Sequence, residues 1–163
     1  MGPQDYSART TYRPPAAWYR RLNRSLGVLL TSLGLAPGDA VVLVARGRRS
    51  GKRRRTPLLT TPYRGRDYLV ALAGESGWVR NVRANAGSAV LRRRRARTVH
   101  LAEVPVDERA PIIAAYLHRG RERSGPEAAA TQTRSYFGLT PDPSLDEIAR
   151  IASFYPVFEI ADG

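Results

Sequence analysis

Apolar residues recur at Trp18, Leu22, Leu26, Leu29, Leu30 and Leu33, while Arg20, Arg21, Asn23 and Arg24 fall mainly between them. That period predicts an amphipathic helix over residues 16–33, stopped by Gly34 and Pro37. Its apolar face would pack on a core; the alternative is a basic helix lying on a membrane surface or lidding a pocket. The polar residues 1–15, interrupted by Pro14-Pro15, read as a flexible arm ahead of a single domain over residues 16–163.

Beyond residue 38 the pattern changes to that of strands. Residues 40–45 are a run of Ala, Val and Leu suited to a buried strand, and residues 46–53 a turn holding Gly47 and Gly51. Strands are predicted over 55–63 and 68–73, joined by the tight turn Arg64-Gly65-Arg66-Asp67. After a glycine-bearing loop, Trp78, Val82 and Asn85 line one side of a short helix over 78–85. Residues 88–93 and 97–104 read as a second hairpin. The inward face of its second strand is ambiguous, because Val99 and Leu101 alternate with His100, Ala102 and Val104.

Asp107 is placed to cap a helix running through Leu117. Gly, Pro, Ser, Thr and charge dominate residues 120–143, predicting a long loop of the kind that serves as a lid or binding segment. Ser144 and Glu147 have the spacing of a capping box for a helix ending near Tyr155, and 157–160 make a final strand. Short strands joined by tight turns, with helices at both ends and between hairpins, define an α+β fold. A small, mostly antiparallel barrel or curved sheet with peripheral helices fits it.

Composition narrows the chemistry. The chain of 163 residues is 42% hydrophobic, enough for one domain with a core. It contains no cysteine, which excludes disulfides, thiolate metal sites and cysteine nucleophiles. Its two histidines, His100 and His118, are far apart, so no multi-histidine metal site is expected within the chain. The formal net charge is +13 and comes almost wholly from arginine, since Lys52 is the only lysine. The forked guanidinium grips phosphate or carboxylate in a bidentate way, so the surplus points to an anionic partner. The longest apolar stretch, residues 26–35, is too short for a bilayer span of about 20 residues. The first residues lack a secretory pattern. A cytoplasmic protein is expected, with membrane association through the 16–33 helix as the alternative.

The densest candidate site is Gly47-Arg48-Arg49-Ser50-Gly51-Lys52 and the strand after it. Two glycines free the backbone to aim amides at an anion. Ser50 and Thr56 add hydroxyls, and Arg49, Lys52, Arg54 and Arg55 add charge. This is no Walker A loop, because the glycine spacing differs and no helix follows. A solvated charged hairpin is the competing reading. A second basic run, Arg92 to Arg97, suits a solvated hairpin tip or nucleic-acid contact, and few aromatics interleave with it to stack bases. Acid–base residues are sparse. His100 and His118 suit structural or surface roles, leaving tyrosines such as Tyr116 and Tyr136 as groups able to bond a carbonyl or give up a proton. A chain so poor in catalytic side chains is either a binder or an enzyme whose cofactor performs the difficult step.

Several segments together resemble the deazaflavin-dependent nitroreductase family, which uses coenzyme F420. They are Val41 to Val44 leading into Gly47-Arg48-Arg49-Ser50-Gly51, Arg54, Thr56-Pro57-Leu58 and Tyr68-Leu69-Val70-Ala71. The likeness continues through Trp78-Val79-Arg80-Asn81-Val82-Arg83-Ala84, Ala89-Val90-Leu91-Arg92, the stretch from Val104 to Leu117, and Tyr155-Pro156-Val157-Phe158. The resemblance implies a split β-barrel in which Arg49, Ser50, Lys52, Arg54, Thr56, Pro57 and Leu58 hold the coenzyme's anionic tail. Ala73, Gly74 and Ser76 would border its ring and phosphate, with Trp78 as a wall and Asn81 as a contact or cap. Tyr116 and Tyr136 map to the substrate side. Glu75 stands where the best-known nitroreductases carry a basic residue. The implied activity is hydride transfer between reduced F420 and an electron-poor small molecule: a quinone, an enone or a nitro compound. Alternatives are a non-catalytic binder, a relative using FMN, and a basic nucleic-acid binder. No nucleic-acid partner is expected, and a homodimer is compatible with the resemblance.

Overall fold

The computed structural model describes residues 38–163; the predicted arm over 1–15 and helix over 16–33 lie outside the described residues. Six strands close into a barrel in the order β1-β2-β3-β6-β5-β4, and every pairing is antiparallel. They are β1 (Ala40–Arg46), β2 (Arg53–Tyr63), β3 (Arg66–Val70), β4 (Ser88–Arg92), β5 (Ala96–Glu103) and β6 (Val157–Asp162). Helix α1 (Gly77–Ala84) follows β3. Helices α2 (Arg109–Ser124), α3 (Pro126–Gln132) and α4 (Leu145–Ile151) lie between β5 and β6.

Strand alternation sorts the core into two compartments. Leu43 and Ala45 of β1, Leu69 of β3, Ala89 and Leu91 of β4, Val99 and Leu101 of β5 and Phe158 of β6 pack together as the barrel interior. Trp78, Val79 and Val82 of α1 join that cluster. The opposite faces of β3 and β6 present Tyr68, Val70 and Val157 to Ile112, Ile113 and Tyr116 of α2, to Phe137, and to Ile148 and Ile151 of α4. Where a strand is buried on both sides the in–out alternation of polarity is lost, as at Tyr68-Leu69-Val70 of β3 and Val157-Phe158 of β6. On β5 the ambiguity resolves: Val99 and Leu101 turn inward, and His100 and Ala102 are exposed.

Two expectations are corrected. Residues 120–143 are not a long loop. Helix α2 runs on to Ser124; Gly125, in the left-handed region at φ +81°, breaks it; and Pro126 occupies the first turn of α3. Gly and Pro here mark the end of one helix and the start of the next, and the alanines that follow, Ala128 to Ala130, favour helix. Asp107 does not cap α2. It lies in a short 3-10 turn, Val106–Glu108, and α2 begins at Arg109 without a side-chain cap. Arg109 fastens that start instead. Its buried guanidinium donates from Nε to the Val104 carbonyl at 2.9 Å, from Nη1 to the Ala152 carbonyl at 3.2 Å, and from Nη2 to Glu103 at 3.0 Å. The capping box forms: Glu147 N–H donates to Ser144 Oγ, and Ser144 N–H donates to the Glu147 carboxylate.

Candidate functional site

The basic turn is fixed from within and from outside. Gly47 N–H donates to the Lys52 carbonyl at 2.9 Å, and Gly51 N–H to the Gly47 carbonyl at 2.8 Å. Gly51 has φ +64°, and a Cβ on Gly47 would come within 3.1 Å of Ser50 Oγ and 3.3 Å of the Lys52 carbonyl. Both glycines are therefore required by the shape of the turn. From outside, Asn81 of α1 accepts from the Arg48 backbone N–H at 3.2 Å and from its guanidinium at 3.3 Å. Asn85 donates to the Arg46 carbonyl at 2.9 Å. Asn81 is a buried polar residue on a helix whose other inward residues are apolar, and its partner is the turn.

The strand after the turn has an unusual edge. β1 pairs with β2 from Arg53 to Leu59, but β3 pairs with β2 only from Thr60 to Tyr63. Among the described residues, the first half of β2 thus has a strand neighbour on one side only. Leaving β3 after Val70, the chain continues toward that half in tight turns: Gly74 N–H donates to Ala71 and Ser76 N–H to Gly74. Thr56, Pro57 and Leu58 lie on this half-open edge and are partly buried, whereas Arg49, Ser50, Lys52 and Arg54 are exposed. Arg49, Lys52 and Arg54 form no ion pair among the described residues.

Ser76 precedes α1, and its backbone is extended as an N-cap requires, yet its side chain makes no cap bond. Its Oγ is buried and has no hydrogen-bond partner among the described residues. The first turn of α1 contains no acidic residue, so the positive end of the helix is uncompensated by the chain itself. A buried unpaired hydroxyl costs on the order of 1–3 kcal/mol, and one at a helix N-terminus suits a phosphate-bearing ligand. Glu75, the departure noted in the sequence, is accounted for. It accepts from Arg83 at 2.8 Å; Arg83 in turn donates to Glu103 at 2.7 Å, and Glu103 pairs with the buried Arg109. The Arg83 hydrogen bond holds the Glu103 carboxyl below its ordinary range, the charge of Arg109 helping, and burial pushes the Arg109 guanidinium down.

The structure thus brings the turn and Asn81 together, with β2 leading directly from the turn. Trp78 is buried in the barrel cluster with its ring 5.5 Å from that of Phe158. Tyr116 and Tyr136 belong to the helical compartment. Tyr116 is 3% exposed and packs near Phe137, while the Tyr136 carbonyl accepts a bond from the Tyr155 hydroxyl. Sequence reasoning assigned no role to Arg109 and missed the contacts of Arg48 and Asn85. Arg48 meets the Asn81 side chain, Asn85 the Arg46 carbonyl and Arg109 the Ala152 carbonyl, partners distant in sequence that no local spacing reveals.

The fold is a closed, six-stranded split barrel with peripheral helices. A sequence profile of the F420H(2)-dependent quinone reductase family matches residues 11–124, and the chain belongs to that family. It is an F420-dependent oxidoreductase, and its cofactor is coenzyme F420. No protein of curated function matches it. Among solved structures, it is similar to one described as an F420-H2 dependent reductase, FDR-A, at 22% identity and a TM-score of 0.44, over 76% of this chain and 94% of that one. It is similar to one described as a domain-swapped dimer at 21% identity and a TM-score of 0.46, over 90% and 99% of the two chains. A conserved hypothetical protein from Mycobacterium tuberculosis is 12% identical with a TM-score of 0.45, over 94% and 84%. Among the described residues, no helix is long and apolar enough to cross a membrane.

Proposed function

We propose that this chain reduces a quinone and that the turn, the β2 edge and the loop before α1 are its coenzyme seat. The observation that carries the reading is the orphaned Ser76 hydroxyl beside the uncompensated start of α1. Ser76 and the first amides of α1 would hold the phosphate, and Arg49, Ser50, Lys52 and Arg54 the carboxylates beyond it. The backbone of Thr56, Pro57 and Leu58, with Ala73 and Gly74 opposite, would orient the ring. Asn81 acts through Arg48, keeping the turn in its binding shape. Trp78, from beneath, would stiffen the floor. When bound, reduced F420 supplies a hydride, which with one proton carries a quinone to its hydroquinone. This chain contributes orientation and water exclusion to that step. Tyr136, half-buried where Tyr116 is buried, is the better placed of the two tyrosines to meet a substrate oxygen.

The test is titration of the purified chain with F420 and with FMN, followed by turnover with a soluble quinone. F420 binding with quinone reduction supports the reading; FMN binding in preference to F420 overturns it. A homodimer and contact of the 16–33 segment with a membrane extend the proposal. The amphipathic spacing of that segment supports them, and sedimentation and vesicle flotation check them.

A further inference from the structure

The second basic run has a partner that only the fold reveals. In β1, Arg46 leads into the coenzyme turn, while Ala40 lies at the other end beside Asp39. Arg92, at the end of β4, pairs with Val42, so the β4–β5 hairpin tip projects at the Ala40 end. Six residue steps of strand separate the two ends of β1, roughly 20 Å at about 3.3 Å per residue. At the far end a cleft of about 1030 Å³ opens. Five arginines of the hairpin tip line one side of it, and Arg119 and Arg123 of α2 another. These two helical arginines, four residues apart and so on one helix face, fall in or beside the segment whose sequence looked like a loop.

The charge in this cleft is unbalanced. Among the described residues, its acidic lining is Asp39 and Asp67, and Asp39 is already engaged by Arg123 and, at 3.7 Å, by Arg119. Arg92, Arg93, Arg94 and Arg95 form no ion pair among the described residues, and Arg97 reaches Asp162 only at 3.5 Å. The Nε of Arg119 is buried without a hydrogen-bond partner. Residues 1–37 cannot supply the missing negative charge, since they hold one acidic residue, Asp5, and five arginines. The rest of the lining is of a different character: Val41, Leu91 and Pro62 give the cleft an apolar floor, with Thr60 beside them.

From this we infer that the cleft is a second anion site, remote from the coenzyme seat, for a soluble small molecule carrying two or more phosphate groups on an apolar body. Clustered guanidiniums match phosphate in fork geometry and repel one another until an anion arrives. An apolar floor under a charged wall selects a ligand with both characters. A lipid headgroup offers similar phosphate chemistry. The buried Nε of Arg119 and the concave lining favour a free molecule over a flat bilayer.

The experiment uses the full chain, with ATP and inorganic pyrophosphate as probes and calorimetry as the readout. ATP should bind one-to-one and more tightly than pyrophosphate, because only ATP carries a body for the floor. The double variant Arg93→Gln/Arg95→Gln should weaken ATP binding by roughly tenfold, two charge-assisted contacts being lost, and leave F420 binding within about twofold. Arg119→Gln should likewise weaken ATP binding. The inference is overturned if ATP binding is lost in Arg54→Ala and kept in the double variant, since the coenzyme turn would then be the site. Equal binding of pyrophosphate and ATP would overturn the assigned ligand class. Tighter retention by anionic phospholipid vesicles or duplex DNA than by ATP would also overturn it, reducing the patch to a general polyanion surface.

Discussion

Asn81 Oδ1 accepts two hydrogen bonds from Arg48, one from its backbone N–H at 3.2 Å and one from its guanidinium at 3.3 Å, across 33 residues of chain. The short helix after β3 therefore holds the shape of the turn between β1 and β2. Asn81→Leu should weaken F420 binding by roughly tenfold, the worth of a buried, charge-assisted bond. Asn81→Asp keeps the acceptor and should retain most of the affinity. Fluorescence titration of both variants checks this; equal losses in the two would mean that the Asn81 amide group itself touches the coenzyme.

Arg54 lies beside the turn at one end of the barrel and Arg94 at the hairpin tip of the other. Arg54→Ala should reduce F420 affinity several-fold more than Arg94→Ala, and affinity for the unmodified protein should fall as salt screens the exposed cations. Indistinguishable Kd values for the two variants would remove the turn from the coenzyme site.

Ser76→Ala deletes a buried hydroxyl that has no partner in the free protein. The thermal midpoint of the unliganded variant should be unchanged or higher, because nothing is lost and a desolvated polar group is relieved. The rise in midpoint on adding F420 should shrink. A clear drop in the unliganded midpoint would show that the hydroxyl already serves the fold.

Gly87 sits at φ +79°, and a Cβ there would lie 2.7 Å from the Leu101 carbonyl and 2.8 Å from the His100 ring. Gly87→Ala should destabilise by more than about 1 kcal/mol, backbone strain adding to the clash. Urea denaturation measures it, and a neutral result would contradict the close approach of the α1–β4 bend to β5.

Glu103 has a folded-state pKa below its unfolded one, chiefly through its hydrogen bond from Arg83. Its contribution is present above the unfolded carboxylate value and disappears as pH falls through the lowered folded value. Acid should therefore loosen the brace that ties β5 and α2 together. Glu103→Gln should be less stable near neutral pH and show a flatter stability profile on acidification; a profile parallel to that of the unmodified protein would argue against the linkage.

Much of the barrel was legible because strand alternation and glycine turns are local signals. The runs at Ala40 and Ser88, the Gly47–Gly51 turn and the Ser144–Glu147 box all form within a few residues of where their patterns place them. Residues 120–143 misled because Gly125 and Pro126 carry the same letters whether they open a loop or separate two helices. The proposed coenzyme seat takes its charged half, Arg49 to Arg54, from charge density and family likeness in the sequence. Its supports were not legible: Asn85 to Arg46 and Arg109 to Ala152 join positions 39 and 43 residues apart. The arginine cleft was hidden for the same reason, since its walls come from a hairpin and from a helix end misread as loop.

The barrel closes through β6, which lies between β3 and β5 although it is the last of the six strands to be made. Until Val157–Asp162 emerges from the ribosome, two strand edges stand unsealed while three helices are still being synthesised. Closure therefore comes late, and the nascent chain must keep those edges from seeking other partners in the meantime.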